Sequence, residues 1–204
     1  MLCGLYAITD TKLTPARSIV QKVESALKGG AQLIQYRDKI NPFDQKEIIA
    51  LKLQGLCKQY RRKLIINDDL KLAHAINADG VHLGQEDASI DEARKLLGSN
   101  AIIGATCHDS LSLAHKAVAE GASYVAFGRF YCSTTKPGAP SCSIEFLKEA
   151  RQSINIPIVA IGGITLKNAP AIIAEGADMI AMVHGVFGTE NIEQQSQELG
   201  RLFN

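Results

Sequence analysis

The feature that most constrains what this chain can fold into is an alternation. Eight short apolar runs, at residues 4–9, 33–37, 63–67, 80–83, 101–106, 123–128, 156–161 and 179–183, are each followed by a polar loop and a helical pattern. The runs are rich in Ile, Val, Leu and Tyr, the composition of strands buried on both faces. Thr14-Pro15 and Asn41-Pro42 each set a capping residue before a proline at the first helical position. Ser89, Asp109, Ser143 and Asn168 stand as N-caps of the fourth to seventh helices. Glycines recur at the stops, in Gly29-Gly30, Gly80, Gly121 and Gly176. Eight βα units spanning residues 1–204 predict one α/β domain, a (β/α)8 TIM barrel. A doubly wound sheet is the rival, but it calls for a glycine fingerprint after strand one, where this chain has Ala7-Ile8-Thr9-Asp10.

Composition narrows the function classes. The 204 residues are 46% hydrophobic and 21% charged with a net charge of +1, a soluble composition without the basic excess of a nucleic-acid binder. The basic run Lys58, Arg61, Arg62, Lys63 falls at a helix end, where it complements the dipole. No apolar run approaches the ~18 residues of a membrane span, and no basic leader precedes the first strand. Five cysteines without a CxxC pair read as reduced thiols. The expectation is a cytoplasmic protein with small-molecule partners, no nucleic acid and no membrane. A homo-oligomer is left open, because no apolar outer helix face stands out.

In such a barrel the chemistry sits where the strands end. Strand two ends in Gln35-Tyr36-Arg37-Asp38-Lys39, and alternation puts Gln35, Arg37 and Lys39 on one side. Strand three ends in Asn67-Asp68-Asp69, strand four leads to Asp87, and strand five ends in Thr106-Cys107-His108. Strand six feeds residues 127–140, where Ser133, Thr134, Thr135 and Lys136 lie on a loop braced by Pro137 and Pro140. Hydroxyls and an ammonium on a stiffened loop suit a phosphate; a solvated loop is the competing reading. Gly162-Gly163 and His184-Gly185, after strands seven and eight, occupy the usual phosphate place of this fold. Arg37, Lys39 and Lys136 could face a more highly charged group. Asp68 and Asp87 among them suggest Mg²⁺ on a pyrophosphate, since Mg²⁺ takes one or two carboxylates plus phosphate oxygens. Either Asp could instead cap a helix or pair with a cation. Two phosphorylated ligands point to displacement of pyrophosphate by a second substrate.

These residues, in this order, resemble the thiamine-phosphate synthases. The resemblance runs over nearly the whole chain, through QYRDK (35–39), INDD (66–69), GVHLGQED (80–87), GATCH (104–108), FGRFYCSTTKPGAP (127–140) and AIGGI (160–164). It implies condensation of a hydroxymethylpyrimidine diphosphate with a thiazole phosphate, giving thiamine phosphate and pyrophosphate by a dissociative route. It implies that Gln35, Arg37, Asp38, Lys39, Asn67, Thr106 and Lys136 hold the pyrimidine diphosphate. Lys136, Thr106, Arg37 and Lys39 would also serve the chemical step. Asp68 and Asp87 would bind Mg²⁺. Ser133, Thr134, Thr135, Gly163, Val183 and His184 would hold the thiazole phosphate.

The chain departs from the pattern at His184, where a small hydroxyl residue is typical, and at Arg129, where a proline is common. Competing readings are a thiazole tautomerase of similar fold, a non-catalytic sensor of thiamine precursors, and a phosphate-binding barrel of tryptophan or histidine biosynthesis. Lys39, Asp68, Asp87 and Lys136 together favour the synthase, since only it needs to grip a metal-bound diphosphate. His82 reads as a hydrogen-bonded barrel residue, His74 and His115 as helix residues, and Cys107 and Cys132 as packing residues. Tyr6 and Tyr131 could line a ring pocket or merely fill space.

Overall fold

The structure, a computed structural model, describes residues 2–131 and 141–203. Eight parallel strands close into a barrel in chain order. They are β1 (Gly4–Ile8), β2 (Leu33–Tyr36), β3 (Lys63–Asn67), β4 (Gly80–Leu83), β5 (Ile102–His108), β6 (Tyr124–Phe127), β7 (Ile158–Ile161) and β8 (Met179–Met182). Closure is made by β1 against β8, with Tyr6 opposite Ala181. The helices among the described residues are α1 (Ile19–Lys28), α2 (Phe43–Gln59), α3 (Leu70–Ala75), α4 (Ile90–Leu97), α5 (Leu111–Ala119), α6 (Ile144–Ser153), α7 (Ala169–Ala174), α8 (His184–Phe187) and α9 (Ile192–Gly200). The expected (β/α)8 barrel is what forms. None of these helices is long and apolar enough to cross a membrane.

Strand alternation divides the apolar side chains into two cores. Leu5, Ala7, Ile34, Leu64, Ile66, Val125 and Phe127 point outward and pack under the helices. Tyr6, Ile8, Leu33, Ile65, Tyr124, Ala126, Val159, Met179 and Ala181 fill the barrel itself. The filling is tight around Tyr124. A Cβ on Gly104 of β5 would come within 2.0 Å of the Tyr124 ring, so only glycine leaves that ring its place.

Two aspartates organise the end of the barrel away from the site. Asp79, just before β4, accepts from Leu64 N through its side chain (2.9 Å) and from Ile102 N through its backbone oxygen (2.9 Å). Asp178, just before β8, does the same with Ile158 N (2.7 Å) and Gly4 N (2.9 Å). Each is paired with a cation, Lys63 at 2.7 Å and Arg151 at 2.9 Å respectively.

Several helix starts differ from the expected ones. Ser89 caps α4 in a full capping box with Glu92, and Ser143 caps α6, as expected. By contrast α1 begins at Ile19, because the Thr14 hydroxyl is bound to Asp10, donating to its carbonyl (2.7 Å) and accepting from its N–H (3.0 Å). Pro42 itself is the N-cap of α2, since the Asn41 amide is drawn back to Asp38 (2.7 Å). Ser110, not Asp109, caps α5. The stop after α3 is Asn77, in the left-handed region at φ 51°, rather than Gly80. On α2 and its lead-in, Ile40, Phe43, Ile48 and Leu51 are exposed, an apolar outer face not legible in the sequence.

Candidate active site

The loop after β2 is built around Asp38. Its carboxylate accepts from the N–H groups of Ile40 and Asn41 (3.0 Å each), from the Asn41 amide and from Tyr36 Oη (2.9 Å). Burial works to raise this carboxyl, but the hydrogen bonds from Asn41, Ile40 and Tyr36 outweigh it and hold it below the ordinary carboxylate value. Asp38 therefore spends its oxygens on its own loop, and that loop presents Arg37 and Lys39. The Arg37 backbone N–H donates to the buried Thr9 hydroxyl (2.9 Å), and its guanidinium lies 3.9 Å from Asp10.

The next two strand ends bring carboxylates to Lys39. Of the pair Asp68-Asp69, Asp69 does the local work: it caps α3 by accepting from Leu72 N (3.0 Å) and sits 3.6 Å from Lys46. Asp68 is left in the left-handed region at φ 59°, unusual for a residue other than glycine. Its carboxylate bonds the Lys39 ammonium and faces Asp87. Asp87 accepts from Gly84 N (2.7 Å) at the end of β4. Non-glycine residues at positive φ also occur at Arg61 and Asn77, just beyond helix ends, where such a turn is ordinary. At Asp68, and again at His108 (φ 51°), it falls on the strand-end rim instead.

Below the rim, polar groups cross the barrel in a single chain of hydrogen bonds. Gln35 Nε2 donates to Tyr6 Oη (2.7 Å), and the Tyr6 and Tyr124 hydroxyls lie 2.9 Å apart. Tyr124 Oη meets His82 Nδ1 at 2.9 Å, and His82 Nε2 meets Thr106 Oγ1 at 2.9 Å. The Tyr124 ring stacks on His82 and meets Tyr6 edge-on. His82 is thus the hydrogen-bonded barrel residue expected. Sequence reading missed Tyr124 and did not join Tyr6 to it. The available signal was parity: Tyr6, Gln35, His82, Tyr124 and Thr106 all fall on inward positions of their strands.

The far side of the mouth is formed by β6, β7 and β8. The chain leaving β6 runs along the end of β7, Phe130 N donating to Ile161 O (3.2 Å) and Tyr131 N to Gly162 O (3.0 Å). A Cβ on Gly162 would meet Arg129 Cβ at 2.3 Å, and φ is +103° there, so the close approach requires glycine twice over. Gly163 follows at φ 65°. Val183 and His184 open α8, and the His184 ring lies over Gly188, where a Cβ would come within 2.8 Å of it. Ser133, Thr134, Thr135 and Lys136 lie outside the described residues. The Cys107 thiol is buried and pushed up to about 12 by burial, in keeping with a packing role; Cys132 lies outside the described residues.

No group of three or more His, Cys, Asp or Glu suited to a metal occurs among the described residues. Two facing carboxylates, Asp68 and Asp87, do occur. That fits Mg²⁺, which keeps several waters and takes the rest of its shell from substrate phosphate.

The family model described as thiamine monophosphate synthase matches residues 5–186. A curated thiamine-phosphate synthase of Marinobacter nauticus is 52% identical over 202 residues, covering 98% of this chain and 90% of the relative. The solved thiamine phosphate pyrophosphorylase of Pyrococcus furiosus superposes with a TM-score of 0.90 at 36% identity, covering 98% of this chain and 95% of that one. The (S)-3-O-geranylgeranylglyceryl phosphate synthase of Thermoplasma acidophilum shares the fold alone, with a TM-score of 0.71 at 17% identity, covering 98% and 93%. By motif order, fold and identity along nearly its whole length, this chain belongs to the thiamine monophosphate synthase family.

Proposed function

We propose that this chain, a transferase of thiamine biosynthesis, joins the methylene carbon of an aminopyrimidine diphosphate to the ring nitrogen of a thiazole phosphate. The products are thiamine phosphate and pyrophosphate. The observation that carries the reading is the meeting of Lys39 with Asp68 and Asp87 at the mouth. A tautomerase or a precursor sensor has no use for two facing carboxylates beside a cation; a leaving diphosphate does.

In this reading Arg37 and Lys39 neutralise the charge that grows on the departing pyrophosphate, and Asp38 holds the loop that carries them. Lys136, outside the described residues, is assigned to the same task. Asp68 and Asp87 would hold Mg²⁺, which would supply Lewis-acid stabilisation of the leaving group. Gln35, Asn67 and Thr106 hold the pyrimidine, whose amino group delocalises the methylene cation. Gly163, Val183 and His184, with Ser133, Thr134 and Thr135, hold the thiazole phosphate with its nitrogen toward that cation. No side-chain nucleophile takes part.

The test is an assay of the purified protein with both substrates and Mg²⁺, following thiamine phosphate and pyrophosphate together. Equal release of both, abolished by EDTA, is the expected result. A folded protein that binds the thiazole phosphate but releases neither product would turn the reading toward a tautomerase or a sensor.

A further inference from the structure

The hydrogen-bond chain inside the barrel has a direction. A phenol carries one proton, and Tyr6 Oη already accepts from Gln35 Nε2. If Tyr124 also donated to it, the Tyr6 proton would be left, at 1% exposure, with no acceptor among its hydrogen-bond partners in the described residues. A buried donor left unmade is costly. Tyr6 therefore donates to Tyr124, and the single proton of Tyr124 goes on to His82 Nδ1. With Nδ1 accepting from Tyr124, the ring proton that faces Thr106 sits on Nε2 and is given to Thr106 Oγ1. Burial raises both phenols, so both stay protonated at neutral pH.

Both ends of the chain emerge with a defined polarity. At one end the Gln35 amide is held with its nitrogen toward Tyr6, so its oxygen is the group left for a ligand. At the other end Thr106 Oγ1 accepts from His82, so its own proton is left to donate. We propose that Tyr6, Tyr124 and His82 are specificity-determining positioning residues, which fix Gln35 as an acceptor and Thr106 as a donor so that the pocket takes an amino-substituted pyrimidine and rejects the oxo-substituted one. An exocyclic amine donates and the neighbouring ring nitrogen accepts, the complement of that pair. An oxo group turns the donor into an acceptor and adds a ring N–H, so both contacts become mismatched. The inference rests on the pyrimidine reading of Gln35 and Thr106 given above.

Two readouts test it without relying on turnover. Nitrogen-15 NMR of the wild-type protein, labelled at histidine, reads the His82 tautomer directly; a neutral ring protonated at Nε2 is expected, and protonation at Nδ1 overturns the proposal. Calorimetry then compares binding of amino- and oxo-substituted pyrimidine diphosphates to wild type, Tyr124→Phe and Tyr6→Phe. Each variant removes one hydroxyl and keeps the ring that fills the barrel. The preference for the amino compound should fall about tenfold in either variant, with thiazole phosphate affinity unchanged. A preference that stays within about twofold of wild type in both folded variants overturns the proposal. Failure of the wild type to release pyrophosphate would count against the proposed reaction alone, because neither readout depends on it.

Discussion

Asp87 faces Asp68 between the ends of β3 and β4, and the two carboxylates hold protons unequally. Burial and the charge of Asp68 push Asp87 up. Asp68 is held down despite its burial, by hydrogen bonds to Lys39 and Asp87. The pair is thus short of positive charge on the Asp87 side, where a divalent cation would relieve it.

Replacing Asp68 with Asn tests that relationship cleanly. Asn tolerates the left-handed backbone that position 68 requires, so the fold should survive. Turnover at saturating Mg²⁺ should fall about 100-fold. Initial rates across a Mg²⁺ titration check this, with circular dichroism as the control. Wild-type rates in the variant would remove Asp68 from the metal site.

Asp38 should make stability pH-dependent in acid. Its carboxyl is lower in the folded protein than the ordinary value of about 3.9. A group depressed in this way stabilises the fold above its unfolded pKa, and that contribution disappears as pH falls through the folded value. The difference in Tm between wild type and Asp38→Asn should therefore be steady near neutrality and shrink below about pH 4. A difference that does not change between about pH 6 and 3 would take the carboxylate charge out of the account.

Gly104→Ala should damage both core and site. The added methyl would lie 2.0 Å from the Tyr124 ring, inside the closed barrel. Overpacking of this kind costs about 1–3 kcal/mol. In a domain of this size that is a fall in Tm of about 2–4 °C per kcal/mol. Thermal unfolding by calorimetry measures it, and an unchanged Tm would mean that the ring has room to move.

Asp178→Ala should affect stability alone. It leaves the Ile158 N–H without the acceptor that lies 2.7 Å away and removes the 2.9 Å partner of Arg151, whose guanidinium keeps its bonds to the carbonyls of Ile154 and Ile156. The expected cost is about 1–3 kcal/mol, read as a lower urea midpoint. Because the residue sits at the end of the barrel away from the rim, kcat should not change. A loss of kcat at unchanged stability would contradict that division.

How much of this was legible in the sequence depends on what each residue answers to. The strands were legible to within two residues, since a run buried on both faces needs only apolar side chains. The rim was legible too, because strand ends follow from strand positions. Helix starts were less so. Thr14 and Asn41 have the composition of caps, but their side chains are taken by Asp10 and Asp38, and local side-chain bonds of that kind compete with capping. The barrel interior was hardest. Tyr6, His82 and Tyr124 lie far apart in sequence, and only closure of the sheet brings their polar tips into one line.

Asp79 and Asp178 bear on how the ring is closed. Each ties the start of the strand before it, β3 or β7, to the start of the strand after its own, β5 or β1, through one carboxylate and one carbonyl. The junction that shuts the barrel, β8 onto β1, is therefore built like the junction at its midpoint, β4 onto β5. Chemically the ring has no seam there: the place where the last strand meets the first and the place opposite it are fastened by the same clasp.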